Sequence, residues 1–214
     1  MAADPSLNQV ALTAFATFFT TVSPIKAAPV FSALTQGWTA RARQTTALKG
    51  TLIATMILLV FGLWGDDLLR ILGISLSALR VGGGILLLLL AIQFVMEPAD
   101  RASGVAPTEE TAAAERIAVF PLAMPMIAGP ASITAVIVLV SAHPDRLAAQ
   151  AVILGMMGLV LLVTLGLLLI AGALERLLGH TGMHVIGRIF GIILAALAAQ
   201  LILEGLGGSG VFHH

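Results

Sequence analysis

Polar side chains are scarce in this chain, so those embedded in apolar sequence mark where chemistry could occur. Two segments concentrate them: SPIKAAPVFS (23–32) and MPMIAGPASIT (124–134). Each holds two prolines five residues apart, Pro24 and Pro29 in the first, Pro125 and Pro130 in the second. Proline removes a helical hydrogen bond and its ring clashes with the preceding turn, so both segments read as helix breaks. Half-helices are then expected to begin behind Pro29 and Pro130, since proline suits a first helical turn. The free N–H groups and positive dipole end of such a half-helix attract a carboxylate. Ser32, Ser132 and Thr134 fall in those expected first turns, and Gly129 permits close backbone approach. Ser23 and Met124 directly precede the first proline of each pair. Lys26 stands between two prolines. An ammonium at membrane depth is a candidate for function, and its long stem equally allows snorkelling to the nearby interface. The expected substrate site therefore comprises Ser23, Lys26, Ser32, Met124, Gly129, Ser132 and Thr134. Its ligand is a small zwitterion, with the carboxylate on the helix ends and the ammonium on freed carbonyls.

The elements that must position these residues are membrane spans. Of 214 residues, 58% are hydrophobic and 10% are charged, with mean hydropathy +1.04. A soluble domain carries about 25% charged residues, so an ordinary cytosolic enzyme, a nucleic-acid binder and a disordered scaffold are excluded. Lys plus Arg equals Asp plus Glu at 11 each, and there is no Cys. Disulfides, thiolate metal sites and thiol nucleophiles are thereby ruled out. A membrane helix needs about 20 apolar residues, and charge gaps delimit six such spans. Residues 5–25, 50–65, 117–144 and 147–174 hold no Asp, Glu, Lys or Arg; Arg80 alone interrupts 71–96, and Arg188 alone interrupts 177–203. No cleavable signal is expected in MAADPSLNQV, which lacks a basic n-region and an A-x-A site. The odd-numbered loops carry Arg41, Arg43, Arg101, Arg116 and Arg176 against Arg70 and Arg146 on the other side. The positive-inside rule then places both termini outside.

The first and fourth spans, Leu7–Leu34 and residues 117–144, are 28 residues each, and an offset of 101 superimposes their proline pairs. Arg80-Val81-Gly82-Gly83 also matches Arg188-Ile189-Phe190-Gly191, with Gln93 and Gln200 following. The expectation is an all-α polytopic fold of two three-helix repeats with broken first helices. Residues 1–100 form the first repeat, 101–115 a connecting loop and 116–214 the second. An odd number of spans per copy makes the two copies inverted, and broken helices at matching positions point to a midplane binding site. Arg80 and Arg188 read as anchors near span ends, Gln93 and Gln200 as interhelical hydrogen-bonding residues. Gly82-Gly83-Gly84 lacks the context of a phosphate loop and reads as close helix packing. Asp66 and Asp67 read as a solvated turn. His180 and His184 lack a third ligand, so no metal is expected. His213 and His214 read as a purification remnant.

These residues carry a family resemblance. SPIKAAPVFSALT (23–35), LGISLSALRVGGGIL (72–86), AVFPLAMPMIAGPASI (118–133) and RIFGIILAALAAQLI (188–202) resemble the MarC family of integral membrane proteins. Ser23, Lys26 and Ala131 depart from residues common in that family. The resemblance implies a six-span protein of the bacterial inner membrane, grouped broadly with LysE-type amino-acid exporters. It also implies transport of small neutral amino acids. The expected function is thus a secondary transporter of the glycine, alanine or serine type, working by alternating access. No nucleotide-binding motif is present, so an ion gradient of H+ or Na+, or the solute's own gradient, would drive it, without other cofactors. The alternatives are an amino-acid or small-metabolite exporter and a non-transporting membrane scaffold. An intramembrane enzyme is not expected, since there is no buried Asp pair, Cys, HExxH or clear Ser–His pair. The partners expected are the lipid bilayer and a small-molecule substrate, with room for a homo-oligomer and no nucleic acid.

Overall fold

The computed structural model describes residues 6–96, 114–144 and 146–209, and every regular element among them is helical. In chain order these are α1 (Leu7–Val22), α2 (Pro24–Leu34), α3 (Ala40–Leu72), α4 (Leu76–Met96), α5 (Ala118–Ile127), α6 (Pro130–Ser141) and α7 (Leu147–Gly208). A capping box starts α1: the Gln9 N–H donates to Ser6 Oγ at 3.3 Å, and the Ser6 N–H donates to Gln9 Oε1 at 3.0 Å. Val10, Ala14, Phe18 and Val22 then repeat every four residues and form its buried stripe. Thr39 caps α3 through Ala42 N–H, and Gly73 ends it in the left-handed region at φ 64°. The Ile74 N–H returns to Leu69 O at 3.0 Å, which closes the last turn.

Four stretches are long and apolar enough to cross a membrane: Leu7–Leu34, Ala40–Leu72, Leu147–Ala171 and Gly191–Gly208. Ala114–Ile127 and Pro130–Ser141, bent by 55° at the break between them, make a fifth if they cross together. α4 supplies only a shorter apolar stretch, Leu76–Leu89. The six spans expected are thus partly recovered. Two differences have local causes. The expected turn at Asp66 and Asp67 is helical, and Asp67 pairs with Arg70 one turn on at 2.6 Å. The expected loop at Arg176 lies inside α7, a 62-residue helix in which LERLL supplies strong helix formers and no proline interrupts. The side chains of Gln93, Arg176, His180, His184 and Arg188 lie outside the described residues, as do residues 101–113 of the expected connecting loop and the terminal His pair.

Two apolar clusters organise the interior. The larger joins α1, α3, α5, α6 and the first part of α7 through Phe18, Phe31, Leu58, Leu122, Ile133, Ile153 and Leu168. The smaller joins α4 to the end of α7 through Leu87, Ala91, Leu194, Ala198 and Leu201. α2 belongs to both, with Ala27 and Phe31 in the first and Val30 in the second. Packing of α4 on α7 is close: a Cβ on Gly84 would lie 2.9 Å from the Ala198 carbonyl, and one on Gly205 would lie 2.7 Å from that of Ser77. Small residues are what allow backbones this near each other in a membrane bundle. Gln200 does not bridge helices; its Nε2 donates to Glu204 Oε1 on its own helix at 2.9 Å.

Candidate functional site

The first proline pair does not break the chain where expected. α1 stops at Val22, Ser23 takes a left-handed conformation (φ 50°, ψ 64°), and α2 begins with Pro24, not behind Pro29. Pro29 lies inside α2, whose buried Ala27, Val30 and Phe31 hold it helical despite the missing donor. The end so formed is nearly closed. Lys26 and Ala27 N–H both donate to Ser23 O, at 3.0 and 3.2 Å, and Ser23 Oγ donates to Thr20 O. Only the Ile25 N–H remains, on a residue 68% exposed. Ser32 is not in a first turn but in the last part of α2, where its buried hydroxyl donates to Ala171 O at 3.1 Å and ties α2 to α7. Lys26 is exposed and makes no side-chain hydrogen bond or ion pair among the described residues. That placement suits a snorkelling side chain.

The second pair behaves differently. Phe120 and Met124 are extended (φ −134° and −135°), each ahead of a proline that disfavours the helical region for its predecessor. Both bonds, Phe120–Pro121 and Met124–Pro125, are cis. α5 is thus kinked at Phe120 and Met124, and the Ala128 N–H reaches Ala123 O at 2.8 Å. Gly129 is extended at ψ 171° and Pro130 opens α6, as expected for this half. The Ile133 N–H reaches Gly129 O at 2.9 Å, but no side chain caps this end. Ala131 and Ser132 N–H occupy the positions that have no intrahelical acceptor. The end is also buried: Ala128, Gly129, Pro130 and Ser132 are all inside the protein. Ser132 Oγ and Thr134 Oγ1 are buried with no hydrogen-bond partner. A buried hydroxyl left unpaired costs about 1–3 kcal/mol, which makes this helix end the least satisfied polar region described.

The two hydroxyls cannot serve one ligand together. Ser132 and Thr134 are two residues apart, about 200° around a helix. A ligand at the free N–H groups meets Ser132, while Thr134 faces another neighbour. Gly129 is needed for a reason internal to the chain, since a Cβ there would lie 2.3 Å from Pro125 O. Met124 is 38% exposed and stands outside the buried end. Gly83, not expected among the site residues, touches the site most directly: a Cβ on it would lie 1.7 Å from Pro130 Cγ. The glycine run signalled close packing, but not that its middle member rests on the proline opening α6. No charged side chain is buried among the described residues, so the positive end of α6 is the main fixed electrostatic feature of the site. No cluster of three or more metal-ligating side chains occurs among them either.

Comparison with known proteins agrees with this helical membrane architecture. The profile described as MarC family integral membrane protein matches residues 8–209. The UPF0056 membrane protein MJ1677 of Methanocaldococcus jannaschii is 35% identical over 94% of this chain and 98% of its own length. YhcE of Escherichia coli is 34% identical over 91% and 90%, and YvbG of Bacillus subtilis 32% over 91% and 92%. No solved structure matches.

Proposed function

This chain belongs to the MarC family of integral membrane proteins, and from that premise we propose that it is a secondary transporter of small neutral amino acids. The observation that supports this reading is the buried, uncapped start of α6, where the unpartnered Ser132 hydroxyl joins the free N–H groups of Ala131 and Ser132. Three donors and a positive helix end suit one carboxylate. Carbonyls released by the prolines of α5 would accept from the substrate ammonium. Because no acidic side chain among the described residues is buried beside them, a cationic side chain would find no partner there, which favours glycine, alanine or serine. Pro130, Gly83 and Pro125 crowd the helix end and favour a small ligand for the same reason.

In this reading residues 1–100 and 116–214 are inverted three-helix repeats that alternate access to the site, driven by H+ or Na+. The protein lies in a bacterial inner membrane with both termini outside. Reporter fusions at residue 214 check the orientation, because a reporter active only in the cytoplasm stays silent there. The function itself is tested by thermal-shift screening of the purified protein, followed by flux into proteoliposomes. Only ligands bound by the folded state raise its stability. Glycine, alanine or serine should raise it while lysine and glutamate do not, and Ser132→Ala should weaken the effect. Absence of any shift and any flux across all amino acids would favour the scaffold reading and sink this one.

A further inference from the structure

A second feature lies away from the α6 site and does not depend on transport. Between α3 and the first part of α7 runs an open groove of about 770 Å³. Its floor is bared by Gly155 and Gly158, around which an added Cβ would meet nothing within 4 Å. Its walls are apolar and exposed, with Leu52 at 64% and Leu162 at 66%. Two features make it more than a gap between helices. Lys49 lines it, and Arg41 and Arg43 stand towards the same end of α3.

The position of these cations along α3 suggests the occupant. α3 has 33 residues, about 50 Å against a hydrocarbon core of about 30 Å. Its charges are Arg41, Arg43 and Lys49 towards one end and Asp66, Asp67 and Arg70 towards the other, with 50–65 uncharged between them. Lys49 is thus the last cation before hydrocarbon, at headgroup level. We propose that the groove binds one anionic phospholipid, with its phosphate on Lys49 and an acyl chain over Gly155 and Gly158. Lys49 is now paired with Glu115 at 2.9 Å, both side chains being about half exposed. An exposed pair of that kind contributes little, so a phosphate can take its place. The two arginines on the same end add to the attraction for an anionic headgroup.

Native mass spectrometry of the purified full-length chain, titrated in detergent with phosphatidylglycerol or phosphatidylcholine, tests this. One phosphatidylglycerol should be retained, with at least tenfold preference over phosphatidylcholine. Filling the floor with Gly158→Leu should weaken retention at least tenfold, and Lys49→Ala should erase the preference between the two lipids. Gly155→Leu, also at an open position, carries the same test should Gly158→Leu fail to fold. Unchanged retention in a folded, filled variant would overturn the assignment, as would an undiminished headgroup preference in Lys49→Ala. A dimer that the filled variants dissociate, without loss of lipid, would place a second copy of the chain in the groove instead. Failure here leaves the α6 site untouched, and absence of amino-acid flux leaves the groove untouched.

Discussion

Pro24 and Pro29 stand at the same spacing as Pro125 and Pro130, yet the helix resumes at the first proline of one pair and at the second of the other. The consequences reach the level of single N–H groups. At the start of α2 the third helical N–H, that of Lys26, bonds back to Ser23 O. At the start of α6 the equivalent N–H, that of Ser132, has no such bond, and Gly129 O accepts from Ile133. One end lies beside exposed Ile25 and Lys26, the other is buried. The neighbouring sequence accounts for the difference. Pro121 adds a third proline to the second segment, and Phe120 and Met124 are both driven extended, so that chain cannot settle into a helix before Gly129. In the first segment only Ser23 leaves the helical region, and the residues after Pro24 pack at once. A repeat in sequence has thus become one nearly closed helix end and one open one, and only the open end has buried donors to offer a ligand.

Substitutions at the open end should hurt most. Gly129→Val drives a side chain into the Pro125 carbonyl; the expected outcome is loss of any ligand-induced thermal shift and a stability loss of about 1–3 kcal/mol, read by melting the purified protein. A variant that binds and melts like the parent would remove the distinction between the two ends. Gly83→Ala comes next, because its methyl group would press on the Pro130 ring, whereas Gly82 has open space around its Cβ position. Gly83→Ala should cost about 1–2 kcal/mol and alter ligand affinity. Gly82→Ala should stay within about 0.5 kcal/mol of the parent.

Serine substitutions sharpen the comparison further, since they should act with opposite sign. Ser32→Ala removes a made hydrogen bond to Ala171 O and should destabilise by about 1 kcal/mol. Ser132→Ala removes a buried hydroxyl with no partner, so it should leave the unliganded protein equally or more stable while weakening ligand binding about tenfold. Paired melting curves with and without ligand separate the two effects; a destabilising Ser132→Ala would mean that its hydroxyl is already satisfied. Lys26→Ala is the smallest expected change, within about 0.5 kcal/mol and without effect on binding. A large loss of binding in that variant would return Lys26 to the site.

Much of this was legible from residue order alone. Apolar runs and rare charges make a membrane protein because their burial and their cost in lipid are properties of composition. Proline's covalent ring guarantees a disturbance at each pair wherever the segment lies. Helix caps such as Ser6 with Gln9 are equally local. The tertiary structure decided which proline starts each helix, because that depends on which alternative packs better and on how neighbouring carbonyls are used. Two similar serines met opposite fates for the same reason: Ser32 finds a carbonyl 139 residues away, and Ser132 finds none. Packing likewise set Gly83, and not Gly82 or Gly84, against Pro130. It also put Lys49 and Thr51 beside glycines more than 100 residues later in the chain. Hydropathy and proline act through the local chain, whereas the satisfaction of a particular polar atom depends on what the rest of the fold brings within about 3 Å of it.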